Sequence, residues 1–310
     1  MKALSSINSR SGLNPFAVAT PLLIASFLAV ATNHFLDVSN LANLAPQLAP
    51  LAVVTLGQLI VALGRGIDLS VGSTVSLTTC VISATGGSAS GLAIALLLGL
   101  AIGVANGAAV AYGNIHPIIS TLATMTFVQG LALFWLPSAG GQTPEAIVAL
   151  SNGTIAGVPG LLVLSVVCFF MVAAMLRFTR LGLRIYAVGS NPLNAYFNGV
   201  SDKLVIVSTY VLCSLLAVVA GVILAGRIGA GDPLVGSQFA LNSITALALG
   251  GVQFSGGIGG VLGALTGVLT IGFMRNGMNL LGVDAFVQSA TTGLLLLLAI
   301  SFQRRNTVGF

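Results

Sequence analysis

Apolar runs of membrane-spanning length, or close to it, follow one another along nearly the whole chain: about 15–32, 44–64, 69–86, 91–112, 118–136, 160–176, 204–226, 240–254, 258–274 and 285–302. Within a bilayer a chain must satisfy its own backbone hydrogen bonds, and runs of roughly 17–25 apolar residues do so as helices. The sequence therefore predicts an all-α integral membrane protein of about ten transmembrane helices, a single multi-pass domain over 1–310. Charged residues are only 5% of the chain and the mean hydropathy is +1.06, a balance that would leave large apolar patches on a water-soluble fold. Several runs are short or rich in glycine, so broken or buried helices are expected among them.

Charge supplies a topology. With the N-terminus inside, Lys2, Arg10, Arg65, Arg177, Arg180, Arg184, Lys203, Arg304 and Arg305 fall on the cytoplasmic side, and only Arg227 and Arg275 fall outside. This follows the positive-inside rule and places both termini in the cytoplasm. The net charge of +5 is dispersed between apolar runs, which argues for topology and against nucleic acid. The first run is read as an anchor, although Ala29 and Ala31 resemble a signal-peptidase site. Cys80, Cys168 and Cys213 lie inside apolar runs without disulfide or metal spacing, and are expected as small buried hydrophobes.

Sliding the chain along itself reveals a repeat. A shift of 164 residues lays Asp68-Leu-Ser-Val-Gly-Ser73 over Asp232-Pro-Leu-Val-Gly-Ser237, with 15 of 57 positions identical between 57–113 and 221–277. Asp68, Gly72, Asp232 and Gly236, with Ser70 beside them, form the structural motif of the repeat. On the ten-helix count the repeat relates helices 2–5 to helices 7–10. An odd shift of five inverts one copy across the membrane, a device of transporters. Gly99, Gly103 and Gly107, and likewise Gly259, Gly263 and Gly267, are spaced by four and predict flat faces for close helix packing. Gly256, Gly257, Gly259 and Gly260 read as a tight turn.

No catalytic constellation is present. HExxH, GxSxG and GxxxxGK[ST] are all missing and the six acidic residues are scattered, so neither an enzyme nor a cofactor or metal site is expected. Asp68 is expected at a membrane boundary, capping the next helix or pairing with Arg65. Asn106, Gln129, Asn276 and Asn279 lie in or beside apolar runs, where an amide either bonds across helices or faces a path. Asn106, Phe127, Asn276 and Asn279 are the candidates for the translocation path. Arg275 and Asp284 flank a short turn and are expected to pair.

The longest polar interruption, 177–203, holds four of the eleven basic residues. Within it Asn191 suits a helix N-cap and Pro192 the first helical position, predicting a turn and a short helix on the membrane surface.

Four stretches carry a resemblance: GIDLSVGS at 66–73, GNIHPIISTLATMTFVQGLAL at 113–133, LGLRIYAVGSNPLNAYFNGV at 181–200, and LALGGVQFSGGIGGVLGALTGVLTIGFMRNGMNLLGV at 247–283. Together they resemble the ribose-type permease subunits of bacterial sugar ABC importers over about 45–302. The resemblance implies a type II-like importer permease working by alternating access. Its implied partners are an ATPase with two nucleotide-binding units, a periplasmic sugar-binding protein, and a second copy or sister permease in the same lipid membrane. It also implies that Gly189, Asn191, Ala195 and Gly199 belong to a coupling element that docks on the ATPase, Ala195 and Gly199 sharing one small-residue helix face. The chain departs from the family at Asn194, where Ala is common, at Pro192 and Leu193, which are often acidic, and at Arg65, which is often Gly. A stand-alone secondary transporter or channel for small polar solutes is the alternative.

Overall fold

A computed structural model describes residues 15–86, 88–155 and 157–301. Lys2, Arg10, Arg304 and Arg305, used in the topology reading, lie outside the described residues. The helices in chain order are α1 (Pro15–Ala31), α2 (Val38–Leu63), α3 (Val71–Ala84), α4 (Ala89–Ala111) and α5 (Pro117–Trp135). A short helix α6 (Glu145–Asn152) and a hairpin of β1 (Thr154–Ile155) and β2 (Val158–Pro159) come next. Then follow α7 (Gly160–Phe178), α8 (Arg180–Ser190), α9 (Pro192–Phe197), α10 (Asp202–Ile228), α11 (Phe239–Leu249), α12 (Val261–Leu280) and α13 (Ala285–Ser301).

Each of the ten apolar runs coincides with a helix. Among the described residues six helices, α2, α4, α5, α7, α10 and α12, are long and apolar enough to cross a membrane. The remaining apolar helices α1, α3, α11 and α13 have 17, 14, 11 and 17 residues. At 1.5 Å per residue α3 and α11 reach about 21 and 17 Å, short of a ~30 Å hydrocarbon layer. Each is cut short by the residues around it. A turn built on Asp68 precedes α3 and one built on Asp232 precedes α11, while Gly86 and Gly251, both left-handed, follow their C-termini.

The long helix α10 is the central post, against which α2, α3 and α4 pack. Glycine lets α4 come close: a Cβ on Gly103 would lie 2.6 Å from the Val211 Cα, and one on Gly107 2.7 Å from the Val207 Cα. The second glycine set divides differently from its spacing. Gly263 and Gly267 on α12 meet Gly250 at the C-cap of α11 and Ala246 within it, but Gly259 precedes the helix with φ +138°. The C-terminal half of α2 is enclosed, Val53, Leu59, Ile60, Val61, Ala62 and Leu63 being wholly buried together with Thr55 and Gln58. All three cysteines are buried.

The packing of residues 38–135 has a counterpart in 202–301. α4 lies on α10 as α12 lies on α2, and α3 lies against α5 as α11 lies against α13. Asp68 Oδ1 accepts from the Ser70 amide at 2.8 Å, and Asp232 Oδ1 accepts from the Leu234 amide, also at 2.8 Å; these are the same turn 164 residues apart. Gly72 and Gly236 meet backbone to backbone. A Cβ on Gly72 would lie 2.6 Å from the Gly236 carbonyl oxygen, and a Cβ on Gly236 would run into that of Gly72. The neighbours reciprocate: Gly72 faces the Ala240 amide and Gly236 the Ser76 amide.

Helices α2, α9, α11 and α12 end in the same closure. In each, the amide two residues past the cap bonds back to the carbonyl five before it: Gly66 to Val61, Val200 to Ala195, Val252 to Leu247, and Val283 to Met278. The residue between needs a positive φ, and glycine supplies it at 199, 251 and 282. At α2 the position is Arg65, with φ 69°.

Candidate functional site

The polar segment 177–203 folds into an elbow. Thr179 Oγ1 accepts from the Gly182 amide at 3.2 Å and starts α8. Asn191, in extended backbone, accepts from the Asn194 amide at 3.0 Å and starts α9, with Pro192 in the first turn, as the sequence predicts. Asn198 Nδ2 donates to the Asn194 carbonyl at 2.7 Å and so stiffens the end of the short helix.

The elbow is wedged into the bundle by backbone. Gly189 faces the Leu63 carbonyl so closely that a Cβ there would collide with it, and Gly256 and Gly257 stack on Gly189 and Ser190. The Gly257 amide donates to the Leu63 carbonyl at 3.0 Å, and Tyr186 Oη donates to the Gly259 carbonyl at 2.9 Å. Three segments thus converge: the end of α2, the α8–α9 corner and the glycine turn before α12. The tip of the elbow is apolar and open, with Leu193, Tyr196 and Phe197 exposed by 63%, 66% and 74%. Ala195 and Gly199 do not share a face. Ala195 is buried against α8, and Gly199 lies past the helix in the closing turn, because α9 ends at Phe197.

A second feature is a polar cavity of about 280 Å3 bounded by α2, α10, α11 and α12. Asn276 and Asn279 stand on its wall with Gln47, Arg227, Gln238 and Arg275. Asn276 exchanges two side-chain bonds with Asn40, at 2.8 and 3.1 Å, and Asn279 Oδ1 accepts from Gln288 Nε2 at 2.7 Å. Arg275 does not pair with Asp284 as its spacing suggests. Its Nη2 donates to Gln238 Oε1 at 3.0 Å, while Asp284 Oδ1 accepts from the Phe286 amide at 2.7 Å. The helix carries Arg275 toward α11 and leaves Asp284 to cap α13.

The other two path candidates lie elsewhere. Asn106 is fully buried in a relay: its Nδ2 donates to Ser70 Oγ at 2.9 Å, its Oδ1 accepts from Thr124 Oγ1 at 2.6 Å, and Ser70 Oγ donates to Asp68 Oδ1 at 2.6 Å. The relay ties α4 and α5 to the turn before α3. Asp68 is likewise fully buried and makes no ion pair with Arg65; Ser70, not Asp68, is the residue that immediately precedes α3. Phe127 is 68% exposed on α5. Gln129 Nε2 bonds across to the Pro233 carbonyl at 2.7 Å. Arg227, Gln238, Asn242 and Gln47 were not singled out as site residues from the sequence. The signal was there in part, since Arg227 is one of two basic residues assigned to the outer side and Asn242 is an amide within an apolar run.

A charge-poor bundle of apolar helices with a polar elbow and a cavity lined by amides and guanidiniums is the architecture of a multi-pass membrane permease. Comparison with known proteins makes the class specific. A family model described as "Branched-chain amino acid transport system / permease component" matches residues 40–300, and the chain belongs to that permease family. It is 36% identical over 304 residues to the ribose import permease protein RbsC of Bacillus subtilis (strain 168), covering 95% of this chain and 93% of the relative. It is 34% identical over 288 residues to RbsC of Escherichia coli (strain K12), covering 90% of each. To the L-arabinose transport system permease protein AraH of the same strain it is 34% identical over 283 residues, covering 89% and 86%. No solved structure gives a significant match. The matched family and these relatives are all permease components, so this chain is a permease and not itself an enzyme.

Proposed function

We propose that this chain is the permease subunit of an ATP-driven importer for a monosaccharide, working by alternating access with a separate ATPase, a periplasmic binding protein, and a second copy or sister permease. The observation that carries the reading is the elbow. Its exposed tip of Leu193, Tyr196 and Phe197 is joined by backbone contacts at Gly189 to the end of α2 and to the turn before α12. An ATPase that grips α9 moves two helices of the bundle at once, which is the two-state element that alternating access requires.

Ten membrane crossings with both termini in the cytoplasm complete the proposal. The short α3 and α11 cross together with the turns before them, and 57–113 and 221–277 form an inverted pair meeting at Gly72 and Gly236. The reciprocal contacts of those glycines and the matching Asp68 and Asp232 turns support the pair. Asn276 and Asn279 line the path in this reading, Phe127 faces the second permease, and Asn106 holds the bundle together.

The test is capture of the ATPase. The tagged chain is co-expressed with the sugar-importer ATPases of its own genome, and retention is compared with that by a Tyr196→Ala, Phe197→Ala variant. Truncating two exposed anchors should weaken retention by about tenfold or more while leaving the melting temperature of the permease unchanged. Full retention by the variant would sink the coupling role of α9, and a folded permease that captures no ATPase would favour a stand-alone transporter.

A further inference from the structure

We propose that the polar cavity between α2, α10, α11 and α12 binds a monosaccharide-sized polyol that carries a carboxylate, with Arg227 and Arg275 as its anion-binding pair. This rests on the importer reading and narrows its substrate class.

The internal repeat isolates the residues that matter. A shift of 164 residues takes Arg227 back to Leu63, Arg275 to Ala111, and Gln238 and Asn242 to Thr74 and Thr78. At these four positions the first copy carries uncharged or apolar side chains where the second carries two guanidiniums and two amides, and all four of the second copy's residues line one cavity. These arginines are also the two basic residues that charge distribution assigns to the outer side. They run against the prevailing bias, and the fold places both on the same cavity.

No carboxylate lines that cavity, and the one ion pair among the described residues is His34 with Asp37, elsewhere in the chain. Arg275 has a single neutral partner in Gln238. Arg227 is exposed and Arg275 half-buried on the same cavity, and a ligand carboxylate would supply the charge-assisted bonds that no carboxylate of the lining gives them. The rest of the wall suits a polyol. Gln47 and Asn242 offer donors and acceptors to hydroxyl groups, and Phe239 offers an apolar ring face. A volume of about 280 Å3 admits one sugar ring, at the lower end of the usual ligand range of ~300–1,000 Å3. The wall is built partly on α11, one of two unusually short helices at corresponding places in the two copies, where transporters of this construction hold substrate. An acidic side chain from a docking protein would meet the guanidiniums but leave the amide wall without partners.

The experiment is calorimetric titration of the purified full-length permease with glucuronate, glucose and acetate. Glucuronate should bind about tenfold or more tightly than glucose, as one charge-assisted contact provides. Acetate should not displace it at equal concentration. Arg227→Gln and Arg275→Gln should each lower glucuronate affinity to that of glucose, with an unchanged melting temperature reporting that the variants are folded. Equal affinity for glucose and glucuronate, binding of neither, displacement by acetate, or a preference that survives both substitutions together would each overturn the inference. ATPase capture on the same preparations keeps the two readings apart: capture without uronate preference sinks this inference alone, whereas uronate preference without capture sinks the coupled importer.

Discussion

Replacing Gly236 by alanine tests the meeting of the two halves at its tightest point. Gly236 is not left-handed, so alanine brings no backbone strain and the effect is steric. The new methyl would run into the Gly72 carbonyl oxygen and stand 2.8 Å from Ser76 Oγ and 2.9 Å from the Ser76 amide. Two of these three neighbours are backbone, so α3 and the turn before α11 must part by about 0.5 Å or more, at a cost of about 1–3 kcal/mol. Parting also weakens the 2.9 Å bond from the Gly236 amide to Ser76 Oγ, worth about 1 kcal/mol. The sum, about 2–4 kcal/mol, translates through an unfolding entropy of ~2.1 cal/mol/K per residue into a melting temperature lower by about 3–6 °C for a chain of this length. The buried Cys80, Cys168 and Cys213 make a thiol-reactive dye a direct reporter of unfolding in detergent. Gly229→Ala is the control, with φ +76° and open space around it; its cost is backbone strain alone, about 1 kcal/mol. A Gly236 variant that melts with the wild type, or no lower than the control, would refute the close apposition of the halves.

Two further substitutions follow from local geometry, both read by the same dye assay. Arg65→Gly should raise stability by about 1 kcal/mol, because it puts glycine where α2 closes through a positive φ; a lower melting temperature would show that the Arg65 side chain contributes more than its backbone costs. Asn106→Ala should lower stability by about 2–3 kcal/mol, since it takes a donor from Ser70 and an acceptor from Thr124 inside the bundle, and a loss below 1 kcal/mol would mean that the relay is not closed.

The helices were legible because period and length are enough to find an apolar run, and their ends were less so. The run read as 240–254 stops as a helix at Leu249 because Gly250 and Gly251 unwind it, and the run read as 258–274 continues to Leu280 because Arg275, Asn276 and Asn279 face a cavity instead of lipid. The α9 cap was readable in full, since Asn191 and Pro192 act on adjacent residues. Arg65 stood out as a departure but acquired a reason only from its φ, a backbone property that side-chain identity does not report. The cavity was legible only in fragments. Gln47 and Gln238 are 191 positions apart, and nothing local to either records that α2 and α11 bring them together. The false pairing of Arg275 with Asp284 has the same origin: sequence proximity suggested a partner, and the helix turned the side chain elsewhere.

Where Gly189 abuts Leu63 and the Gly256–Gly257 turn, main chain touches main chain with no side chain interposed. Such a joint has nothing soft to compress, so a displacement of the elbow arrives at the end of α2 undamped. The residues at the tip are under no such restriction, because Leu193, Tyr196 and Phe197 touch little of their own chain. Under the coupling proposed above, the part that grips and the part that transmits are separable in heredity: substitutions at the tip leave the backbone joint intact, whereas a Cβ at Gly189 collides with the Leu63 carbonyl.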